Sequence, residues 1–515
     1  MKILIWGTGK LAARYMELNY FAGHEIIAFV DSYKKDLQFE GYQVYRPEDI
    51  GVLVYDYLFV CVAKENDIIL EKCIAEKVDL KKVFFAVNNL NLKGINQSYI
   101  EQLPSLDTLS NTFPALCNSI KRYRNDKIYY KNIDILCGEA EDDALIQNLG
   151  ENHVVAWIPV ELLFSERQED NHLPVYTDEW KRQNRIWENH PIIAFEPYRN
   201  LFQFFLNGAD YPDKYCKWYQ YLFISRGLTS GYTNEQLIEK RYREFMNMQR
   251  ELNKGMTFFV ERPAIAKWNP KGYFNLVDGH HRTSFLYYSG LTRMPVQITR
   301  TDYERWSNKE TALEVRQFIK KQKREEFYQP ILNPYFYKLH TYREGFTKSR
   351  LHHLLEHFNA TRFVGKKVVD IGACLGYMGQ AFCRMGADVT LIEHDPFHYE
   401  LTQKVNELLY TNCRIVTQKF EEYEEDIVYD IAIMLTVFYP YLIDETIRGK
   451  FMDNLNKNVS QMIIWESGDE AEKEKEYIIQ NTKFHQFRHL CYTYATGKFR
   501  ELGLFITDDS EYLTC

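Results

Sequence analysis

No apolar run in this chain approaches the ~20 residues needed to cross a bilayer, and its opening KILIW reads as a strand rather than a leader. The ten cysteines form no CxxC pair and no regular spacing, which argues against a zinc ribbon or a disulfide framework and for a reducing compartment. A basic surplus is also missing. Lys and Arg number 63 against 71 Asp and Glu, giving a net charge of −8 and a pI near 6.0. That balance argues against a broad phosphate-binding surface, so no nucleic-acid partner is expected. There is no internal repeat and no low-complexity tract. What remains is a cytoplasmic, multidomain globular protein, since 515 residues exceed what one core organises. Hydrophobic (45%) and charged (26%) contents are ordinary, and the 38 Tyr and 33 Phe are scattered as core fillers are.

Residues 1–90 alternate strand and helix, the pattern of a parallel, doubly wound sheet. KILIW runs into Gly7-x-Gly9-x-x-Ala12, and the second strand, Ile26 to Val30, ends in Asp31. This is the context a dinucleotide turn requires, with Ala12 in place of the third glycine. Gly7 and Gly9 would then hold a phosphate and Asp31 a ribose; the plainer alternative is a Rossmann unit used for packing or assembly. FVDSYKKDLQFEGYQVYRPEDI resembles the small nucleotide-binding domains attached to bacterial sugar-modifying enzymes, which implies a nucleotide-sugar as ligand.

Residues 91–152 form a connector of weak pattern, with a basic run at Lys121–Arg124 and an acidic one at Glu139–Asp143 that read as solvated faces. From His153 to Trp306 lies a middle domain that opens with a strand entering a helix near Pro159 and Glu161. Its informative segment is YFNLVDGHHRTSFLYY: a strand, a tight Asp278-Gly279 turn, and a helix starting at His280. His280, His281, Arg282, Thr283 and Ser284 crowd that helix N-terminus, an arrangement suited to phosphate. Helix capping and a satisfied buried imidazole are the bland alternative. A zinc site is disfavoured, because adjacent helical histidines diverge by about 100°.

This segment resembles the ParB/sulfiredoxin-like superfamily, and in its Asp-Gly-His-His-Arg form the free-serine kinase branch. The resemblance implies an α+β fold that binds ATP or CTP with Mg2+. Arg282 would clamp phosphate with His281 as second donor, and Asp278 would sit near the metal or the acceptor hydroxyl. Glu161 would be the general base. His280 stands where sulfiredoxins carry a reactive cysteine, so their repair chemistry is not expected.

Residues 307–332 read as a charged helical linker, with Val315, Phe318 and Ile319 on one face. In the last unit, 333–515, SRLHHLLEHF makes an amphipathic helix expected to cover a site edge, its His352, His353 and His357 lying at a surface or interface. VVDIGACLGYMGQAFCRMGADVTLIE then gives strand, glycine turn, helix and a second strand closing on Glu393. DxGxxxG puts an acid where GxGxxG has glycine, which fits a ligand with a cationic methionine moiety and no pyrophosphate. Later strands bring Asp370, Glu393, Lys419, Phe420, Leu435 and Glu466 to one rim.

The stretch resembles motif I of class I S-adenosylmethionine (SAM) methyltransferases, and the strand order matches across the unit. The resemblance implies that the turn from Gly372 through Ala373 to Gly376 passes the methionine part of SAM. Glu393 would bind the ribose hydroxyls, and Lys419 and Phe420 would flank adenine, with Lys419 where many members carry an acid. His394, Glu466 and Tyr439 are the rim candidates for a base. No Asn-Pro-Pro-Tyr follows the fourth strand; the TVFYPYL found there favours an oxygen acceptor. The expectation is an enzyme of α/β multidomain build that O-methylates, and through its middle domain phosphorylates, a bacterial surface glycan or its activated sugar precursor. Two alternatives stand beside it: methylation alone with non-catalytic front domains, and a nucleotide-gated scaffold. An oligomer is left open.

Overall fold

The computed structural model describes residues 1–17, 20–33, 38–62, 65–87, 90, 92, 94–109, 112–113, 116–117, 146–149, 151–165, 190–224, 231–322, 326–337, 340–341, 348–358, 363–495, 498–510 and 512. The charge runs at 121–124 and 139–143 lie outside the described residues. The chain divides into two compact units: residues 1–131 with 494–499, and residues 132–493 with 500–515.

In the first unit, β1 (Lys2–Trp6), β2 (Glu25–Val30), β3 (Gln38–Phe39), β4 (Tyr42–Tyr45), β5 (Tyr57–Val60) and β6 (Val83–Phe85) form one sheet in the order β3-β4-β2-β1-β5-β6. All pairings are parallel except that of the short edge strand β3. Along β1 the side chains alternate: Ile3 and Ile5 enter one core, Leu4 and Trp6 the other. Burial on both faces explains why these strands are apolar runs rather than alternating ones. The parallel sheet is as expected.

The second unit holds two seven-stranded sheets. β7 (Ile146–Leu149), β8 (His153–Pro159), β9 (Leu163–Ser165), β10 (His190–Pro191), β11 (Ala264–Asn269), β12 (Tyr273–Asp278) and β13 (Arg293–Thr299) make a mixed sheet, order β10-β9-β12-β11-β13-β8-β7. Strand β7 lies in the stretch read as connector, yet it pairs with β8. After β8 the expected helix is a single turn, Val160–Leu162, before the chain re-enters the sheet as β9. Pro159 removes a backbone donor, and the branched and aromatic residues that follow fit a strand better.

A small parallel pair, β14 (Glu326–Phe327) and β15 (His340–Thr341), precedes the second sheet. That sheet is built from β16 (Lys367–Ile371), β17 (Asp388–Ile392), β18 (Arg414–Val416), β19 (Tyr429–Leu435), β20 (Val459–Glu466), β21 (Gln486–Ala495) and β22 (Lys498–Ile506), in the order β18-β17-β16-β19-β20-β22-β21. β16 to β20 run parallel and β22 runs antiparallel to β20. The chain winds outward from β16 through β18, then returns to lay β19 against β16. That reversal opens a crevice at the carboxyl ends of the strands, where open α/β sheets bind ligands.

The stretch read as a linker is structural. Ala312, Val315 and Ile319 of the helix Lys309–Lys321 pack with Phe327, Ile331, Leu375, Leu401, Val405 and Leu408 in one buried cluster. The two sheets of this unit share further contacts. Arg384 Nε donates to the Gly272 carbonyl at 3.0 Å, and the Tyr410 hydroxyl donates to the Arg305 carbonyl at 2.9 Å.

Candidate functional site

The site is built on the exit of β16. Val368 and Val369 are fully buried, as a central parallel strand requires, and Asp370 follows at the rim. Gly372 has φ +67°, and a Cβ there would stand 2.6 Å from Val437, so only glycine lets this turn pass the end of β19. The Gly372 and Ala373 N–H groups both donate to the Ile392 carbonyl, at 2.9 and 3.1 Å, and clamp the turn onto β17. Gly376 packs on Leu391 and precedes the helix Tyr377–Arg384.

Glu393, buried where β17 ends, accepts the Cys374 N–H on Oε2 and the Asp395 N–H on Oε1, both at 2.8 Å. Each oxygen keeps a lone pair for a hydroxyl donor. Asp370 accepts the Gly379 N–H at 3.0 Å. Burial pushes its carboxyl up to about 7, opposed by the Gly379 N–H and the Arg350 charge. A cavity of about 310 Å³ opens over this rim, walled by Ile371, Gly372, Ile392, His394, Lys419, Phe420, Thr436 and Tyr439 among others. Lys419 is exposed at its mouth, while the Phe420 ring also packs at 5.0 Å from Phe451 in the core. Leu435 ends β19, opposite Glu466 on β20. The structure thus brings Asp370, Gly372, Ala373, Gly376, Glu393, Lys419, Phe420 and Leu435 to one rim.

Of the three base candidates, Tyr439 is exposed on the cavity wall, and the other two differ from each other in placement. Glu466 is fully buried and its carboxylate is occupied: Arg350 Nη1 lies 3.2 Å from Oε2, the Thr436 hydroxyl donates to Oε2, and the Thr493 hydroxyl donates to Oε1. It serves as a clamp across the sheet, with both carboxylate oxygens engaged by neighbouring side chains. His394 is exposed on the cavity wall, 3.7 Å from Glu393 Oε1, beside the ribose candidate.

Four residues escaped the sequence reading. Gln329 Oε1 accepts the N–H groups of Leu375 (3.2 Å) and Tyr377 (3.3 Å), capping the helix after the glycine turn. Arg350 pairs with Glu466 from the helix Arg350–His357. The Tyr377 hydroxyl donates to Glu161 Oε1 at 2.9 Å. Gly379 lets that helix lie close on Val389 and Leu391. Only Gly379 had a local signal, the repeated glycine in GYMG.

Glu161, expected as a base beside the Asp278–Arg282 turn, is bonded instead beneath the glycine turn of the second sheet. His352 Nε2 lies 3.5 Å from its Oε1, and Ser349 N–H donates to His352 Nδ1 at 2.7 Å, which leaves the imidazole proton on Nε2. Burial raises the Glu161 pKa, but His352 and the Tyr377 hydroxyl outweigh it and hold the group ionised below its usual range. The expected surface or interface position of His352 resolves to a buried interface between the two sheets.

The Asp278–Arg282 turn is built as expected, with Gly279 backed against Ala264. Arg241 Nε donates to the Tyr215 hydroxyl at 2.6 Å, and that hydroxyl is hydrogen-bonded to His281 Nε2 at 2.7 Å. Burial, with the nearby Arg241, Arg282 and Lys240 charges, holds the His281 imidazole neutral, well below its usual range. Burial lowers His280 to about 4. Arg282 Nη2 donates to the Pro263 carbonyl at 3.2 Å and lies 3.4 Å from exposed Asp278. Thr283 and Ser284 are buried, and their hydroxyls have no partner among the described residues.

In the first unit, Gly7 packs on the Cys61 carbonyl and Gly9 faces open space. Asp31 Oδ2 accepts the Thr8 N–H (3.2 Å) and hydroxyl (2.6 Å), and Oδ1 accepts the Tyr33 N–H (2.8 Å). The carboxylate expected on a ribose is engaged with its own loop.

Among the described residues no helix is long and apolar enough to cross a membrane.

A family model described as C2185-like, N-terminal, matches residues 1–84. No curated protein matches the chain. Solved structures similar to it include magnesium protoporphyrin IX methyltransferase (ChlM) from Synechocystis PCC 6803 with bound SAM, at 19% identity and TM-score 0.25, covering 28% of this chain and 72% of that one. The bifunctional kinase-methyltransferase WbdD is similar at 15% identity and TM-score 0.31, covering 38% and 46%. So is the N-methyltransferase NodS from Bradyrhizobium japonicum WM9 in complex with S-adenosyl-L-homocysteine, at 15% identity and TM-score 0.24, covering 30% and 88%. With TM-scores this low, the functional reading rests on the residues of the site.

Proposed function

We propose that the second sheet of the larger unit binds SAM and that the chain methylates an oxygen of a saccharide, a surface glycan or its activated precursor. The observation that carries the reading is the rim itself: the Glu393 carboxylate is fixed by two backbone N–H groups beside a glycine turn that admits no Cβ. These residues fit the cofactor. Glu393 retains acceptor capacity for ribose hydroxyls, Ile371, Ile392 and Phe420 give the cavity apolar walls, and Asp370 offers a carboxylate to a cationic centre. When bound, SAM supplies an electrophilic methyl group. The chain's own part is orientation, which can contribute ~7–11 kcal/mol to such a transfer.

The test is titration calorimetry. SAM should bind the full chain, and Glu393→Gln, which keeps an acceptor oxygen for the turn, should weaken it by at least tenfold in protein that still melts cooperatively. Absence of SAM binding, or equal binding by the variant, sinks the reading.

A second activity is favoured by one observation: the charges of Arg241, Arg282 and Lys240 act on neutral His281 at a helix N-terminus whose Thr283 and Ser284 hydroxyls have no partner among the described residues. This suits the phosphates of ATP or CTP with Mg2+ and makes the middle domain a candidate kinase for the same saccharide. Phosphoryl transfer from ATP that survives Arg282→Ala would refute it. Gly9, open to solvent beside the first sheet, leaves room there for the activated sugar that the resemblance of the first 90 residues implies.

A further inference from the structure

A second cavity, of about 600 Å³, lies in the same unit and shares one wall residue, Tyr439, with the cavity walled by Gly372 and Phe420. Two helices flank it, Glu445–Asn458 after β19 and Ala471–Asn481 after β20. We propose that this groove seats the acceptor as a neutral saccharide, with Tyr439 as the partition between donor and acceptor; the inference rests on the methyl-transfer reading.

The chemistry of the walls selects the ligand class. Tyr439 is 39% exposed, while Tyr477 carries the Arg448 guanidinium over its ring at 4.3 Å, so Tyr439 supplies the exposed aromatic surface of the groove and Tyr477 holds Arg448 on its wall. Aromatic faces receive the apolar C–H face of a pyranose as they receive other flat apolar groups. Around them stand Asp469, Glu470, Lys473 and Glu476, which supply both donors and acceptors. The groove has two cations, Arg448 and Lys473, against three carboxylates, and this balance disfavours a polyanion such as nucleic acid or a polyphosphate. The polar groups are pre-ordered rather than loose. Asp469 pairs with Arg500 at 3.3 Å, Glu470 with Lys473, and Arg448 Nη1 donates to the Leu442 carbonyl at 2.7 Å. Arg448 Nε is buried and has no partner among the described residues.

The partition is itself held rigid. Gly468 abuts the Tyr439 side chain so closely that no Cβ fits, and its N–H donates to the buried Glu474 carboxyl at 2.7 Å. The turn after β20 therefore fixes Tyr439 between the cavities.

The test uses the full chain on an array of bacterial oligosaccharides, with calorimetry of SAM in parallel. Wild type should bind neutral oligosaccharides, and Arg448→Ala and Tyr477→Ala should each lose that signal at least tenfold while SAM affinity and melting temperature stay within twofold and 2 °C. No oligosaccharide binding by wild type, or binding unchanged in both variants, overturns the proposal. Loss of SAM binding by wild type strikes the methyl-transfer reading and leaves the array result standing by itself.

Discussion

Asp370 sits under the glycine turn with a carboxyl that burial pushes up to about 7, where a cationic ligand would prefer it ionised. The sign follows directly. Below about pH 7 the free site holds a proton that must leave when a cation binds, so affinity rises with pH until the carboxylate is already formed. SAM should bind about tenfold more tightly at pH 8 than at pH 6, and Asp370→Asn should flatten that dependence while weakening binding at pH 8. Calorimetry at the two pH values decides it, and an unchanged slope in the variant removes Asp370 from the site. Asp370, Gly372, Gly376 and Glu393 were legible because they lie within one short strand-turn-strand segment, where spacing alone encodes geometry. Arg350 and Gln329 were not, because their partners stand 116 and 46 residues away and no local pattern marks such pairings.

Two elements tie the sheets of the larger unit together, and neither announces this in its sequence. The turn after β11 has Gly272 at φ +81°, where a Cβ would run into the Leu409 carbonyl oxygen, while Arg384 grips the Gly272 carbonyl. Gly272→Ala should cost about 2 kcal/mol or more, combining backbone strain with a steric clash against backbone, read as a lower urea midpoint. The helix Arg350–His357 presents Arg350 to Glu466, His352 to Glu161, and Glu356 to the Tyr287 hydroxyl at 2.8 Å. Its amphipathic pattern showed that one face is buried but not against what. Removing the carboxylate in Glu161→Ala takes away the acceptor of the buried Tyr377 hydroxyl and the counter-group of His352 Nε2, a loss of about 1–3 kcal/mol. Glu161→Gln keeps an acceptor and should recover part of it. If both variants melt with wild type, the polar cluster contributes nothing to docking.

At the scale of the whole molecule, composition and periodicity divided the chain after residue 306 and again at 333, whereas residues 132–493 cluster as one compact unit. The reason is that amphipathicity reports how much of a helix is buried, not which body buries it. Helix Lys309–Lys321 has the charged outer face of a linker, yet Val315 and Ile319 close a core whose other half is Leu375, Leu401, Val405 and Leu408. Leu375 belongs to the glycine turn itself, and Gln329 of the same stretch caps the helix that follows. The cofactor rim therefore depends on residues that look dispensable from the sequence. A truncation beginning at residue 333 keeps every strand of the second sheet and all of the DxGxxxG segment, but loses that apolar half-core and the cap. We expect it to bind a hydrophobic dye, to melt without a cooperative transition and to lose SAM affinity at least tenfold relative to the full chain. A truncation that melts sharply and binds SAM as the full chain does would show that the second sheet folds alone, and that the helix Lys309–Lys321 is the tether its sequence suggests.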